Sequence, residues 1–169
     1  MDTNCLPKMD MTDNTTGCCP KFNPAGWDGR NLHFENKPFV RAKTRSLLHF
    51  PLNMGKVISR VQRHIEDAGV QDPEGYLVLS RDLSHAEAEH FFAVTGGVPN
   101  EEMTEITGDF ITRVFEGPYR RAKDWMHDME VAAEASGKNA GRIFMFYTTC
   151  PKCVRAYGKN YVIGVAEVS

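Results

Sequence analysis

The alternation of apolar and polar positions divides the chain into short elements of two periods. In KPFVRAKTRSLLHF, residues 37–50, Arg41, Lys43 and Arg45 alternate with Val40, Ala42, Thr44 and Ser46. This is the period of a strand with one solvated face, and Pro51 closes it. Asn53 then caps a predicted helix in which Met54, Val57, Ile58, Val61, Ile65 and Ala68 recur every three or four positions, and Gly69 ends it. An Asp72-Pro73-Glu74-Gly75 turn leads to a short strand over 76–80, and the polar run RDLSHAEAE reads as a connection. Residues 91–95 form a further strand stopped by Gly96-Gly97. The second half repeats this order. A strand over 106–115, with Gly108 at a bulge position, turns at Gly117-Pro118 into a helix. That helix carries Tyr119, Ala122, Trp125, Met126, Met129 and Ala133 on one side and stops at Ser136-Gly137. Two β-rich runs, RIFMFY and YVIGVAEVS, finish the half.

Strand-helix-strand-strand twice over predicts an α+β class: an antiparallel sheet with two helices packed on one face and a central cleft between duplicated halves. The domain spans residues 37–169. Before it, residues 1–16 lack periodicity and apolar content and read as a flexible N-terminus. Residues 17–36 hold Gly17, Pro20, Pro24, Gly26 and Gly29, which forbid a long regular element, together with Phe22 and Trp27. They read as an ordered strap anchored by those two rings.

Composition narrows the setting. At 169 residues and 41% hydrophobic, the chain suffices for one full core without staples. A balance of 20 basic against 22 acidic side chains, net −2, gives no general nucleic-acid surface. Arg41, Lys43 and Arg45 read as a wet strand face, and no helix-turn-helix pattern precedes residue 37. No 18-residue apolar stretch exists and the first residues are acidic and polar, so the expectation is a cytoplasmic protein without membrane contact.

Chemistry concentrates in the cysteines. Five in a reducing compartment favour free thiols or metal ligands over a disulfide framework. Cys150-Pro151-Lys152-Cys153 joins the last two strands with the spacing of a thiolate knuckle, and Lys152 and Arg155 offset thiolate charge. Cys18 and Cys19 form the second pair, and the four together would make a structural zinc site. Adjacent side chains tend to diverge, so one of Cys18 and Cys19 could ligate while the other packs, or His33 or His49 could serve instead. The same Cys-x-x-Cys also suits a dithiol redox pair, although a thioredoxin domain places its pair after an early strand. Inert thiols are the third reading. Ser80, Asp82, Ser84 and His85 crowd one polar stretch without indicating a hydrolytic triad, and His85 and His90 lack the H-E-x-x-H spacing.

FEGPY, residues 115–119, between a strand and an amphipathic helix, resembles the Gly-Pro-Tyr segment of the GyrI-like (SOUL-type) small-molecule-binding domain, an effector-binding domain of bacterial type. The likeness extends over residues 38–168 through the DPEG turn, GDFITRVFEGPY and YVIGVAEV. It implies two related halves around a cleft that binds hydrophobic, often aromatic or cationic compounds. The paired cysteines are similar to those of a branch often labelled hydrolases. Tyr119 matches the family's tyrosine, and a cleft carboxylate in that family makes Glu167 a candidate. Tyr147 and Trp125 complete the implied ligand-binding set. The resulting expectation is sensing or sequestration of a small hydrophobic or aromatic molecule, with a structural zinc ion. Hydrolysis of a small electrophilic compound is one alternative, and a dithiol redox or protein-interaction module is another.

Overall fold

The computed structural model of the chain describes residues 2–10, 12–72 and 75–169. Pro73 and Glu74 of the expected DPEG turn lie outside the described residues. The elements are β1 (Asn31–Leu47), β2 (Phe50–Pro51), α1 (Met54–Ala68), β3 (Val78–Asp82), β4 (Glu87–Ala93), β5 (Glu102–Glu116), α2 (Ala122–Ala135, after a 3-10 turn at Tyr119–Arg121), β6 (Ala140–Tyr147), α3 (Pro151–Tyr157) and β7 (Tyr161–Val168).

The strands are hydrogen-bonded in the order β2-β1-β4-β3-β6-β7-β5, and β5 pairs in turn with β1. Among the described residues, six strands therefore form a closed antiparallel barrel accompanied by three helices. Closure corrects the expected open sheet with two helices on one face and a central cleft. It also overturns the resemblance to the GyrI-like domain, which rests on that open architecture. The reason lies in two strands longer than their strongest pattern. β1 starts at Asn31, where Leu32 and Phe34 are buried between exposed Asn31 and Glu35, and runs for 17 residues. β5 runs for 15. Strands of that length offer hydrogen-bonding edges to different neighbours along their course, and a sheet that closes leaves no edge of unpaired peptide groups. FEGPY records one strand-to-helix turn and carries no information about which edges meet.

The chain divides into two compact units. In the unit made of Asn36–Asp72 and Tyr76–Thr107, α1 buries Val57, Val61 and Ile65 against Val40, Ala42, Val78, Phe92, Val94 and Val98. Gly69 stops the helix in the left-handed conformation, φ 67°, its N–H donating to the Glu66 and Ile65 carbonyls. Asn53 makes no side-chain cap; its Oδ1 accepts from the Arg45 N–H at 2.7 Å and ties the start of α1 to β1. The expected polar connection over 81–89 is largely strand. Glu89 sits buried within it, where Arg81 and Arg41 donate to it at 2.6 and 2.8 Å, so paired charge replaces the apolar alternation that would have announced β4. On the other face, His90 is 1% exposed, its Nδ1 2.7 Å from Ser80 Oγ and its Nε2 2.9 Å from Thr44 Oγ1.

In the other unit, α2 packs Trp125 and Met129 on Ile143 and Met145 of β6 and Val162 and Ala166 of β7. Gly164 of β7 is required by this approach: a Cβ there would meet Met129 Sδ at 2.6 Å and Phe115 at 2.8 Å. Phe22 and Trp27 pack on Phe146 at ring-centroid distances of 6.1 and 5.7 Å. The Thr112 hydroxyl donates to the Trp27 carbonyl, and the Gly29 and Thr112 N–H groups donate to the Thr112 and Arg30 carbonyls.

Burial lowers the His90 pKa from 6.5 to about 4, against the smaller opposing influence of Asp82 and Glu89. Above pH 6.5 the imidazole is neutral whether the chain is folded or unfolded. As pH falls from 6.5 towards 4 only the unfolded chain takes up the proton, so stability falls, by roughly 3 kcal/mol at most. Urea denaturation of the wild type across this range is expected to show that one-proton slope. His90→Gln, less stable at neutral pH, is expected to lose this contribution.

Candidate metal centre

Two short segments of one unit bring the paired cysteines together. The first is the turn at Thr16–Cys19. Gly17 takes φ 71°, and the Thr16 hydroxyl accepts from the N–H groups of Cys18 and Cys19 at 3.3 and 3.4 Å. This hydroxyl-centred curl swings two adjacent side chains to one side, the local backbone that a vicinal pair of ligands demands. The second is α3. Cys150 is its N-cap residue in extended conformation, Pro151 supplies the first helical position, and Gly158 closes it at φ 73°. The Cys-x-x-Cys thus opens a helix where a bare turn between strands was expected. The signal was present in Pro after the first cysteine and Gly seven positions later.

All four Sγ atoms of Cys18, Cys19, Cys150 and Cys153 lie within 4.8 Å of one another. Cys18 Sγ is 3.8 Å from both Cys150 Sγ and Cys19 Sγ. A tetrahedral ion with sulfur ligands at about 2.3 Å separates each sulfur pair by about 3.8 Å, so the cluster is geometrically able to hold a single metal ion. A multi-iron cluster would spread its cysteine sulfurs farther apart. Cys153 is buried at the inner end and Cys18 exposed at the outer end. The Thr16 hydroxyl, 3.2 Å from Cys153 Sγ, is the chief cause that lowers this thiol to about 7. Burial raises Cys19, and the contact with Cys150 raises Cys18.

Tyr157, which the sequence did not single out, and Tyr119, which it did, support the centre. Tyr157 of α3 donates its hydroxyl to the Cys19 carbonyl at 2.6 Å and lies 3.3 Å from Thr16 Oγ1. Tyr119 donates to the Thr149 carbonyl at 2.8 Å, next to Cys150. Burial, then the neighbouring Cys150 and Cys19, raises the Tyr119 phenol to about 12.

Tyr119 also meets Tyr147 edge to face at 5.5 Å, and both pack against the cluster containing Trp125, which is itself stacked on Phe115. Glu167 is engaged elsewhere on β7, accepting from Arg142 Nη2 at 2.9 Å. His33 pairs with Asp109 and His49 with Asp82, each at 2.7 Å. Ser80 meets His90 and not His85, and the other imidazole nitrogen faces a threonine where a hydrolytic triad requires a carboxylate.

Beside the cysteines, Asp10, Asp13, Lys21, Phe22, Asn23, Pro24, Thr149, Tyr157, Lys159 and Tyr161 line a depression of about 410 Å³. Its walls come from the same two regions that carry the thiols: the N-terminal segment on one side, α3 and the start of β7 on the other.

A family model described as bacterial hydrolase matches residues 9–168, a span that includes both cysteine pairs, and the chain belongs to that family. No curated protein matches the chain.

The Tyr157 hydroxyl bonds the helix to the N-terminal turn, so Tyr157→Phe is expected to cost about 1 kcal/mol, with amide exchange accelerated in the Thr16–Cys19 turn and across α3 together. Exchange measured by mass spectrometry on the metal-free protein checks this, where a bound ion does not mask the loss.

Proposed function

We propose that Cys18, Cys19, Cys150 and Cys153 bind one zinc ion, that the ion clamps the N-terminal segment onto α3, and that a small molecule binds in the depression walled by the two clamped segments. The observation that carries this reading is the convergence of four sulfurs at the spacing of a tetrahedral edge. All-thiolate donors favour zinc over oxygen-seeking cations. With four protein ligands the ion has no open position, so its contribution is structural. The depression offers Phe22, Tyr157 and Tyr161 as ring surfaces and Asp10, Asp13, Lys21 and Lys159 as charges, which suits a small aromatic compound carrying ionic groups. Membership of the bacterial hydrolase family supports hydrolysis as the second reading. In that case the carboxylates of Asp10 and Asp13 are the groups in the depression able to orient water.

Protein purified without added metal or nickel affinity is expected to carry about one zinc per chain, released on thiol modification. Cys150→Ser and Cys153→Ser are each expected to lower zinc content and to loosen the N-terminal segment and α3 together. Zinc below about a tenth of an equivalent with four freely reactive thiols would reject the centre, and a stable disulfide within the cluster would favour dithiol chemistry.

A thermal-shift screen with charged aromatic compounds tests the depression. Binding is expected to weaken about tenfold or more in Tyr161→Ala. Mass analysis of each bound compound separates retention from hydrolysis by the gain of one water. Hydrolysis, if found, should fall in Asp13→Asn without loss of zinc.

A further inference from the structure

The unit made of Asn36–Asp72 and Tyr76–Thr107 carries a surface that the metal centre leaves unexplained. Ser46 pairs with Pro51 and Leu47 with Phe50, so Leu48 and His49 are the two central residues of a tight hairpin. Both have positive φ, 47° and 68°. Two-residue hairpins of this kind favour asparagine and glycine, because a bulky side chain is crowded in the left-handed conformation. Leucine at position 48 therefore costs the fold conformational energy, and burial returns none of it: Leu48 is 76% exposed, and Leu47 and Leu52 beside it are each 62% exposed. The neighbouring β3–β4 turn adds the partly exposed Leu83. That turn is joined to the hairpin by bonds from the Ser46 and His49 N–H groups to the Ala86 and His85 carbonyls, and by the His49–Asp82 pair.

Charge is arranged behind the leucines. Lys43, Arg45 and Lys56 are exposed. Among the described residues none of the three makes an ion pair. The first turn of α1 contains no acidic residue, and beside Leu52 a depression of about 590 Å³ is lined by Arg45, Asn53, Gly55 and Lys56. Three carboxylates lie near, and Glu89, opposite Lys43 in the β1–β4 ladder, is already held by Arg41 and Arg81. Asp82 is engaged by His49, and Glu87 stands opposite Arg45 in the β1–β4 ladder. The positive margin is thus small, and apolar contact supplies most of the attraction.

We propose that this hairpin docks the protein on an anionic lipid bilayer, with Leu47, Leu48 and Leu52 entering the acyl boundary and Lys43, Arg45 and Lys56 meeting the lipid phosphates. A two-residue turn is too narrow to supply the roughly 800 Å² per partner that a stable protein interface buries, whereas a lipid interface accepts a small apolar tip backed by cations. Lying on a bilayer differs from crossing it, and none of the described helices is long and apolar enough to cross.

The test uses the full chain and flotation with vesicles of phosphatidylcholine alone or with about a third phosphatidylglycerol. Binding is expected on the anionic vesicles, several-fold weaker on the neutral ones, and reduced by high salt. Leu48→Asn suits the turn, so its unfolding temperature should be unchanged or higher while its vesicle affinity falls about tenfold, or ~1.4 kcal/mol. Arg45→Gln combined with Lys56→Gln should remove the preference for anionic vesicles. The proposal is overturned if the wild type floats with neither vesicle, if Leu48→Asn binds as the wild type does, or if the leucines instead drive self-association of the chain in the absence of lipid.

Discussion

Every strand edge in this protein has to answer the same requirement: a peptide group without a partner is costly wherever water is excluded. β1 and β5 meet it by length. β1 pairs with β4 through Phe39–Arg45 and has further residues to offer β5, while β5 pairs with β7 through Asp109–Glu116. Closing the hydrogen-bonded order on itself leaves no cleft between halves of an open sheet. Helices then cover individual faces: α1 through its Val57, Val61 and Ile65 stripe, and α2 through Trp125 and Met129 where Gly164 leaves room.

Against this framework the four cysteines gather where the turn after Thr16 meets α3. Irregular segments bury little apolar surface of their own, and a seven-residue helix gains little from helical cooperativity. The Thr16 hydroxyl beside Cys153 and the Tyr157 hydroxyl on the Cys19 carbonyl tie the two segments together.

Much that was legible in the chain was local. The helix from Met54 to Gly69 follows from its own apolar spacing and its left-handed stop. The strands at Ala140–Tyr147, read from residue 142 onward, and Tyr161–Val168 follow from β-branched and aromatic runs, and the Cys150/Cys153 pair from its spacing. Two omissions were also local. Leu32 and Phe34 already alternate with polar neighbours before Lys37, and Cys-Pro at one end with Gly at the other is a helix signature. β4 was harder to read, because Glu89 occupies a buried position that its sequence neighbours cannot neutralise and only Arg41 and Arg81 from the flanking strands can.

By itself the sequence determined an α+β chain, its principal helices, and two pairs of thiols with metal-ligand character. The tertiary structure decided that the sheet closes, that His90 rests between Ser80 and Thr44, and that Cys18 meets Cys150 across 132 positions of chain. The division has a physical origin. Helix periodicity, turn chemistry and thiol spacing are set by interactions within a few residues, whereas edge pairing and ligand convergence depend on which distant segments recover enough hydrogen bonds and buried surface to offset the entropy of bringing them together.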